Sequence, residues 1–456
     1  MLTRIEIDGF KTFREFCVDL LPFQVILGPN AVGKSNLFDA LRLLSRLAET
    51  DLHTAFQDTR GEPREMFAVS GPDECVESMS FAVEVLLDPI ARDPWGVEVR
   101  PKHTRVRYEL SLARRNGRGG VERLYVTAEN AKPIPDRKDS WVKQIPSKQF
   151  RDIYVKRGRR SPWLETKDAD GVKSFEIAQD GRAGRTRPAD AAESTILSGV
   201  TSAEFPHLYA LREELRSWRF LHLNPEGLRQ PSPSLSPDRL LHDGRNLATV
   251  LARIRNETRT EDRPAGVIPD VSATLAQLVP GVRSIEIAED ERKKEYRIDI
   301  GMQDGHTYPS RVLSDGTLRL LALVALMNDP RERGLLCFEE PENGVHPFRL
   351  GQLIETMRLW TSDLHADDSD PDDPDLLRQV LLNSHSPVVL NNLDKSLTLF
   401  ADTISYVDPT GEQRTARCTR LRRVEPSLFE STEGTVTSSY VKNVLETAWS
   451  TGENAQ

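Results

Sequence analysis

One nine-residue segment constrains the fold of this chain more than any other part of its sequence: GPNAVGKSN at positions 28–36. It follows the apolar run FQVIL and precedes LFDALRLLSRLAE, whose apolar residues recur with the period of an α-helix. The spacing is that of a phosphate-binding loop, carried by Gly28, Gly33, Lys34 and Ser35. An ordinary glycine-rich turn is the alternative, but the complete match and both flanking elements favour the phosphate-binding loop.

The parts of this segment have separate chemical roles. Glycines let successive backbone N–H groups point inwards, and the following helix begins with its positive end toward the anion. Lys34 can reach the β- and γ-phosphates, while Ser35 can hold Mg²⁺. We therefore predict nucleotide binding along the whole segment, by Gly28, Pro29, Asn30, Ala31, Val32, Gly33, Lys34, Ser35 and Asn36.

The composition is that of a globular protein. The 456 residues are enough for two or three domains, and 38% of them are hydrophobic and 29% charged. No run of 18 apolar residues and no signal-peptide pattern occur, so we expect a cytoplasmic protein without a membrane span. The four cysteines lack the spacing of a disulfide framework or a zinc site: Cys17, Cys75, Cys337 and Cys418.

Changes of pattern divide the chain into four parts. Short apolar bursts and the phosphate-binding loop occupy 1–51, the predicted N-terminal part of the nucleotide-binding head. Residues 52–205 contain Pro- and Gly-rich loops with isolated strand candidates, which predicts an inserted, β-rich lobe. Strands and helices alternate through 206–400, which favours an α/β core, and 401–456 form a C-terminal tail.

Charge is distributed unevenly along the chain, whose formal net charge is −9. Residues 91–190 contain 24 Lys and Arg against 14 Asp and Glu, so the predicted lobe is basic. Five aromatic residues are interleaved with these charges: Tyr125, Trp141, Phe150, Tyr154 and Trp163. This composition suits a surface that follows the phosphate backbone of DNA or RNA. A solvated basic insert that binds no nucleic acid is an equally good interpretation.

Acidic residues are concentrated later in the chain. Seven Asp residues lie between positions 363 and 375. Calcium binding is conceivable there, but the EF-hand order of ligands is absent. A solvated loop is the better interpretation.

Two carboxylates end the apolar strand candidate GLLCFEE, namely Glu339 and Glu340. Phosphoryl transfer needs both a metal site and an oriented water, and neighbouring strand residues point to opposite sides, so the two roles can be divided. We predict that Glu339 helps to hold Mg²⁺ and that Glu340 orients and deprotonates the water. In NSHSP, at the end of another apolar strand candidate, His385 is a candidate γ-phosphate sensor, and a structural role is the alternative.

A second anion site is indicated by VLSDGTLRLLALVAL. Ser314 is a good helix N-cap, and Gly316 permits close approach of a backbone. The helix that follows is apolar nearly all round and therefore buried, with its positive end exposed through Ser314, Asp315 and Gly316. One nucleotide does not need two cradles in one subunit. We therefore predict a head-to-tail dimer in which each subunit donates this helix end to the other's loop.

Four segments in this order resemble the motifs of ABC-type ATPases: GPNAVGKS (Walker A), LSDGT (signature), LLCFEEPENGVHP (Walker B with D-loop) and NSHSP (switch histidine). The opening LTRIEIDGFKTFREFCVDL is similar to the start of the SMC, RecF and OLD group. WRFLHLNPEGLRQPSP and LHDGRNLATVLARI resemble bacterial predicted ATPases of the AAA domain type. The resemblance covers roughly 1–50 and 206–400, and it implies a P-loop NTPase head, with a mixed sheet flanked by helices, that hydrolyses ATP with Mg²⁺.

The sequence departs from this family pattern at several positions. Asp315 replaces a common Gly, Glu339 replaces the usual Walker B Asp, and His346 stands where a D-loop Asp is typical. Gln230 and Asn224 are both candidates for the Q-loop residue. The tail lacks the acidic cluster of a TOPRIM nuclease, so we expect any effector to be a separate chain.

Two functional classes follow from the resemblance. The first is an ATP-driven switch or sensor that acts with nucleic acid or a partner effector, in phage defence or DNA repair. The alternative is the nucleotide-binding subunit of a transporter. The SMC/RecF-like opening and the basic lobe favour the first, and a small-molecule kinase does not explain LSDGT.

Overall fold

A computed structural model describes most of the chain. The described residues are 1–59, 61–71, 74–116, 122–158, 161–179, 182–367, 370, 374–391, 393–407, 415–425 and 435–453. Parts of the basic segments, of the acidic stretch at 363–375 and of the predicted tail lie outside these residues.

The helices, numbered along the chain, are α1 (Lys34–Leu47), α2 (Leu52–Gln57), α3 (Lys148–Tyr154), α4 (Pro206–Ser217), α5 (Pro225–Arg229), α6 (Leu247–Glu257), α7 (Ile268–Leu278), α8 (Asp315–Met327), α9 (Pro347–Trp360), α10 (Pro387–Asn391) and α11 (Ser438–Glu453). In the described part of the chain, no helix has both the length and the apolar character needed to cross a membrane.

The strands, numbered in the same way, are β1 (Leu2–Asp8), β2 (Phe16–Asp19), β3 (Phe23–Leu27), β4 (Val69–Gly71), β5 (Glu74–Cys75), β6 (Ser78–Leu86), β7 (Ala91–Arg92), β8 (Glu98–Val99), β9 (Arg105–Asn116), β10 (Glu122–Pro133), β11 (Leu164–Ala169), β12 (Val172–Gln179), β13 (Arg182–Pro188), β14 (Arg219–Leu221), β15 (Ser232–Pro233), β16 (Val282–Asp290), β17 (Glu295–Met302), β18 (Thr307–Pro309), β19 (Gly334–Glu339), β20 (Arg378–Ser384), β21 (Thr398–Val407), β22 (Thr415–Glu425) and β23 (Thr435–Thr437).

A mixed sheet forms the centre of the ATPase head. Within the described ranges its seven strands have the order β14-β19-β20-β3-β21-β22-β23. The strands from β14 to β21 are parallel, whereas β22 runs antiparallel to β21. Parallel strands buried on both faces are continuous apolar runs, as FQVIL is in β3. The predicted α/β class, a mixed sheet flanked by helices, is confirmed.

The two faces of this sheet belong to different hydrophobic cores. Leu335 and Cys337 of β19 pack into one core together with α1 and α4. Leu336 and Phe338 of the same strand pack into the other core together with α6, α7, α8 and α9. Successive side chains of a strand point to opposite faces, so one short apolar strand contributes to both layers. This double burial holds the strand ends in place.

A second, antiparallel sheet joins the N-terminus to the predicted lobe. Its eight strands, counted over the residues described, have the order β13-β12-β11-β10-β9-β6-β1-β2. Ile5 of β1 lies opposite Val18 on one side and Val83 on the other. Strand pairing thus crosses the expected boundary at 51/52, and the pairing of β21 with β22, in which Leu399 lies opposite Arg423, joins residues on either side of 400/401. The division of the chain into four parts stays a prediction.

The aromatic residues of the basic region are mostly in the core. Trp141, Phe150, Tyr154 and Trp163 are each 6% exposed or less. The expectation that these four belong to a surface that follows a phosphate backbone is wrong, because tertiary packing has buried their rings. Only Tyr125 among the five interleaved aromatics is partly exposed.

Several of the basic side chains are also paired within the chain. Arg105 is 1% exposed and forms a bidentate ion pair with Asp139, with Nε–Oδ2 and Nη2–Oδ1 distances of 2.9 and 3.0 Å. Its Nη1 donates to Thr3 Oγ1 at 2.9 Å. Much of the positive charge counted in the sequence is therefore compensated by neighbouring carboxylates or used inside the fold.

The buried pair provides a test of the fold. Asp139→Asn keeps the shape of the side chain but removes the hydrogen-bonded counter-charge of the Arg105 guanidinium in the core, where the carboxylate of Glu84 remains at 3.7 Å. We expect the free energy of unfolding, measured by urea denaturation, to fall by about 3 kcal/mol. The matched control is Glu193→Gln, which breaks the exposed pair between Arg123 and Glu193 and should leave the denaturation midpoint unchanged. Equal effects of the two variants would contradict the structure.

Candidate active site

The phosphate-binding loop connects the end of β3 to the start of α1. Ala31 and Gly33 both have left-handed backbone conformations, with φ of +63° and +95°. Residues of this kind within a loop turn consecutive N–H groups toward one point, which makes a concave anion site. The 14-residue helix α1 has no acidic residue in its first turn, so its positive end is not opposed there. The backbone therefore fits a nucleotide phosphate.

Both glycines of the motif are needed because the β21–β22 hairpin is close. A Cβ atom on Gly28 would lie 2.5 Å from the carbonyl oxygen of Ala401. A Cβ atom on Gly33 would lie 2.0 Å from Thr419 Oγ1. Residues after position 400 therefore support the loop, which the sequence patterns did not indicate.

Lys34 lies at the centre of the site. Its side chain is buried, and its Nζ donates to the carbonyl oxygens of Gly28 and Pro29, both at 2.6 Å. Burial lowers the pKa of Lys34 to about 8, while the nearby charges of Glu340, Glu342 and Glu339 oppose this shift. The structure thus brings Lys34 close to the predicted catalytic carboxylates.

The two predicted carboxylates are oriented by different neighbours at the end of β19. Glu339 Oε1 accepts a hydrogen bond from Asn383 Nδ2 on β20, at 3.2 Å. Glu340 lies just after the strand with a φ of +50°, which is a costly backbone conformation for a residue with a side chain. Its N–H donates to the carbonyl oxygen of Asn383, and its Oε2 accepts from Asn343 Nδ2 at 2.6 Å. This sharp turn, as well as strand alternation, separates the two carboxylates.

His385 lies between two carboxylates. Its Nδ1 is 3.6 Å from Glu340 Oε1 and 3.7 Å from Glu342 Oε1. The interaction with Glu340 raises the pKa of His385, and the imidazole in turn lowers the pKa of Glu340. Near neutral pH this arrangement favours an ionised Glu340 and promotes the imidazolium form of His385.

Glu342 was not among the predicted site residues. Its carboxylate is 10% exposed, and its Oε1 accepts from Ser384 Oγ at 2.5 Å and from the His385 N–H at 3.4 Å. In the part of the chain that the structure describes, its Oε2 is buried without a hydrogen-bond partner. The sequence contains a signal for Glu342, because this residue belongs to the same acidic segment, EEPEN, as Glu339 and Glu340.

The predicted metal site has two oxygen-bearing side chains, those of Ser35 and Glu339. Within the described residues, no three or more His, Cys, Asp or Glu side chains are arranged to hold a metal ion. Mg²⁺ in nucleotide sites is commonly bound by one or two protein oxygens together with phosphate oxygens and water. A hydroxyl and a carboxylate at the rim of a phosphate loop fit that chemistry.

The predicted signature residues lie at the start of α8. Ser314 is exposed and caps the helix by accepting from the Thr317 N–H at 3.2 Å, as predicted. Asp315 forms an ion pair with Arg229. Gly316 is buried, and a Cβ atom on it would lie 1.7 Å from the carbonyl oxygen of Gly344. These contacts do not involve the loop at 28–36.

The departures from the family motif have local structural reasons. His346 is the N-cap of α9, where its Nδ1 accepts from the Phe348 N–H at 3.4 Å, and its ring stacks on that of Phe348. Of the two Q-loop candidates, Asn224 caps α5 by accepting from the Glu226 N–H at 3.0 Å. The side chain of His346 thus supports the helix after the Walker B segment.

The chain is similar to several solved structures. One is an SMC head bound to the C-winged helix domain of ScpA, with 12% sequence identity, 92% of this chain and 98% of that chain covered, and a TM-score of 0.46. The Smc head domain with an extended coiled coil from Pyrococcus furiosus, bound to the C-terminal domain of ScpA, shows 10% identity, 98% coverage of both chains and a TM-score of 0.42. The Smc head domain with a coiled coil and joint from Pyrococcus yayanosii shows 12% identity, coverage of 98% of this chain and 99% of that chain, and a TM-score of 0.43.

No curated protein matches the sequence of this chain. One family model, described as "AAA domain, putative AbiEii toxin, Type IV TA system", matches residues 23–391. This match confirms the resemblance to bacterial predicted ATPases of the AAA domain type. Because it spans most of the chain and includes the phosphate-binding loop and the segments with Glu340 and His385, the chain belongs to this family of P-loop NTPases.

Proposed function

We propose that this protein binds ATP with Mg²⁺ and hydrolyses it to ADP and phosphate. The observation that carries the proposal is the position of Lys34, whose buried ammonium lies in a loop of anion-binding shape and close to Glu339, Glu340 and Glu342. A cation, inward-facing N–H groups and carboxylates at one place are the parts that phosphoryl transfer requires.

Each residue of the site has its own role in the proposed hydrolysis of ATP. The loop N–H groups and the Lys34 ammonium bind the β- and γ-phosphates and oppose the charge that develops there. Glu340, ionised beside His385, accepts the proton of the attacking water. His385 donates a hydrogen bond to the γ-phosphate once it turns from the carboxylates. Ser35 and Glu339 would hold Mg²⁺, which supplies charge neutralisation between the β- and γ-phosphates.

We also propose that ATP is enclosed between two copies of the chain in head-to-tail arrangement. The start of α8 supports this, because it is exposed at Ser314 and the charge of Asp315 in its first turn is paired with Arg229. Two apolar side chains of this region are exposed. Val312, just before Ser314, is 60% exposed, and Phe348, near the start of α9, is 88% exposed. A cavity of about 450 Å³ lies between the α8 start and α9. A second subunit would cover this apolar surface.

The proposed biological role is that of an ATP-driven switch with a separate effector protein, in phage defence or DNA repair. The family description names a putative toxin, which suits defence better than transport. Support for DNA or RNA as the ligand of the 91–190 region is weak, because four of its aromatic residues are buried and several of its arginines are paired. A protein partner is therefore favoured.

Lys34→Ala should abolish ATP hydrolysis and weaken ATP binding. The substitution removes the cation at the β/γ-phosphates, together with its hydrogen bonds to the Gly28 and Pro29 carbonyls, but keeps the residues of the loop with left-handed backbone conformations. Release of phosphate by the purified, folded variant is the measurement. The matched control is Lys143→Ala, which removes an exposed lysine outside the site and should hydrolyse ATP like the wild type. Unchanged turnover in Lys34→Ala would remove the basis of the proposal.

Mixing two inactive variants tests whether the site is shared between subunits. Ser314→Arg places a bulky cation at the donated helix end and should block hydrolysis while each chain still binds ATP. Combined with Lys34→Ala, it should form heterodimers with one intact composite site and recover part of the activity. The control mixture, Lys34→Ala with Glu340→Gln, should recover none, because both changes lie on the same side of the site. Absence of recovery in the first mixture, with heterodimers present, would argue against sharing.

Glu340→Gln should trap the ATP-bound dimer. The amide keeps the size of the carboxylate but cannot accept the proton of water, which typically lowers the rate about 10²- to 10⁴-fold. Light scattering with ATP should show a long-lived dimer, whereas the exposed control Glu355→Gln should behave like the wild type. A variant that stays monomeric with ATP contradicts the dimer.

The trapped dimer can then be titrated with DNA and RNA at several salt concentrations. Binding that weakens steeply with salt would restore nucleic acid as a ligand.

A further inference from the structure

A chain of hydrogen bonds links the phosphate-binding loop to the turn after β1 and to β22. Asn36 Nδ2, in the first turn of α1, donates to Thr12 Oγ1 at 2.9 Å. The hydroxyls of Thr12 and Thr419 are 2.6 Å apart, and Thr419 Oγ1 donates to the carbonyl oxygen of Val32 at 2.8 Å. Thr419 has a single hydroxyl proton, and it is used in the hydrogen bond to the Val32 carbonyl. Thr12 must therefore be the donor between the two threonines.

The chain of bonds has a fixed direction, and it uses the hydroxyl protons of both threonines. It runs from Asn36 through Thr12 and Thr419 to Val32, and it is closed by the backbone, where the Thr419 N–H donates to the carbonyl oxygen of Thr12 at 2.9 Å. Thr419 is 4% exposed. Water is therefore a poor substitute for its hydroxyl, and bonds in such a series strengthen one another.

The β21–β22 hairpin contacts the loop at both of its glycines. Gly28 lies against the backbone of Ala401 on β21, and Gly33 lies against the side chain of Thr419 on β22. Ala401 is fully buried, and the two strands are paired with each other through Thr403 and Thr419. The hairpin thus supports the loop at Gly28 and at Gly33.

We infer that Thr419 is a positioning residue for the nucleotide, which acts by holding Val32 and Gly33 in the anion-binding conformation. The inference rests on the proposed ATP binding and adds to it a residue outside all of the recognised motifs. The left-handed conformation of Gly33 brings its N–H into the site, and the carbonyl of the preceding residue must turn the other way, toward Thr419. Without a donor there, that peptide group is free to rotate out of the binding geometry.

Binding of adenylyl imidodiphosphate with Mg²⁺, a non-hydrolysable ATP analogue, tests the inference by calorimetry on the full chain. Thr419→Val keeps the shape of the side chain but leaves the Val32 carbonyl without its donor and the Thr12 hydroxyl proton without its acceptor, and it should weaken binding about tenfold. Thr419→Ser keeps the hydroxyl and should bind within about twofold of the wild type. Thr403→Val makes the same chemical change at an exposed position on the same hairpin and should bind like the wild type.

Hydrogen–deuterium exchange without nucleotide gives a second readout. Amides of residues 28–36 should exchange faster in Thr419→Val than in Thr403→Val, while the rest of β22 exchanges equally in both. Wild-type affinity together with unchanged exchange in Thr419→Val would overturn the inference and leave the proposed ATPase intact. A wild-type chain that does not bind the analogue would instead overturn the proposed function, and the exchange comparison would still decide the role of Thr419. Should Thr419→Val not fold, Thr419→Ala removes the same hydroxyl from the Val32 carbonyl and replaces it in both measurements.

Discussion

Parallel pairing of β19, β20 and β3 is the constraint on which the site depends. The carboxyl ends of these strands lie at one edge of the sheet, where Glu339 is opposite Asn383, and Asn383 is opposite Ile26 of β3. The phosphate-binding loop, the Walker B carboxylates and His385 follow directly from those three ends. Because β19 is buried in two hydrophobic cores, its end cannot move without disturbing packing on both faces of the sheet.

The site is supported from outside its own motifs. A loop with left-handed residues has no regular backbone ladder to hold it, so its shape must come from neighbouring groups. In this protein those groups are Thr12, from the turn after β1, and the β21–β22 hairpin near the end of the described chain. The loop is thus held between an early and a late segment, and its geometry depends on the completed fold.

The sequence was most informative where function requires neighbouring residues. The loop at 28–36, the pair Glu339 and Glu340, the position of His385 at a strand end and the α/β class were all predicted from local patterns, and the structure places the first three together. Thr12 and Thr419 could not be found in this way, because 407 positions separate them and each is an ordinary threonine. The error on Trp141 and Trp163 has the same origin, since tertiary packing decides whether an aromatic residue faces water or the core.

The charges of the site bear on how many subunits it needs. Glu339, Glu340 and Glu342 bring three carboxylates to a region whose cations are Lys34 and, when protonated, His385. A triphosphate adds further negative charge, which the loop N–H groups and the Lys34 ammonium oppose. Mg²⁺ would compensate part of the excess at Ser35 and Glu339. A second helix end would oppose more of this charge, and the start of α8 is exposed at Ser314 and Asp315, with the carboxylate of Asp315 paired with Arg229. The electrostatics of one subunit therefore support the proposal that two copies complete the site.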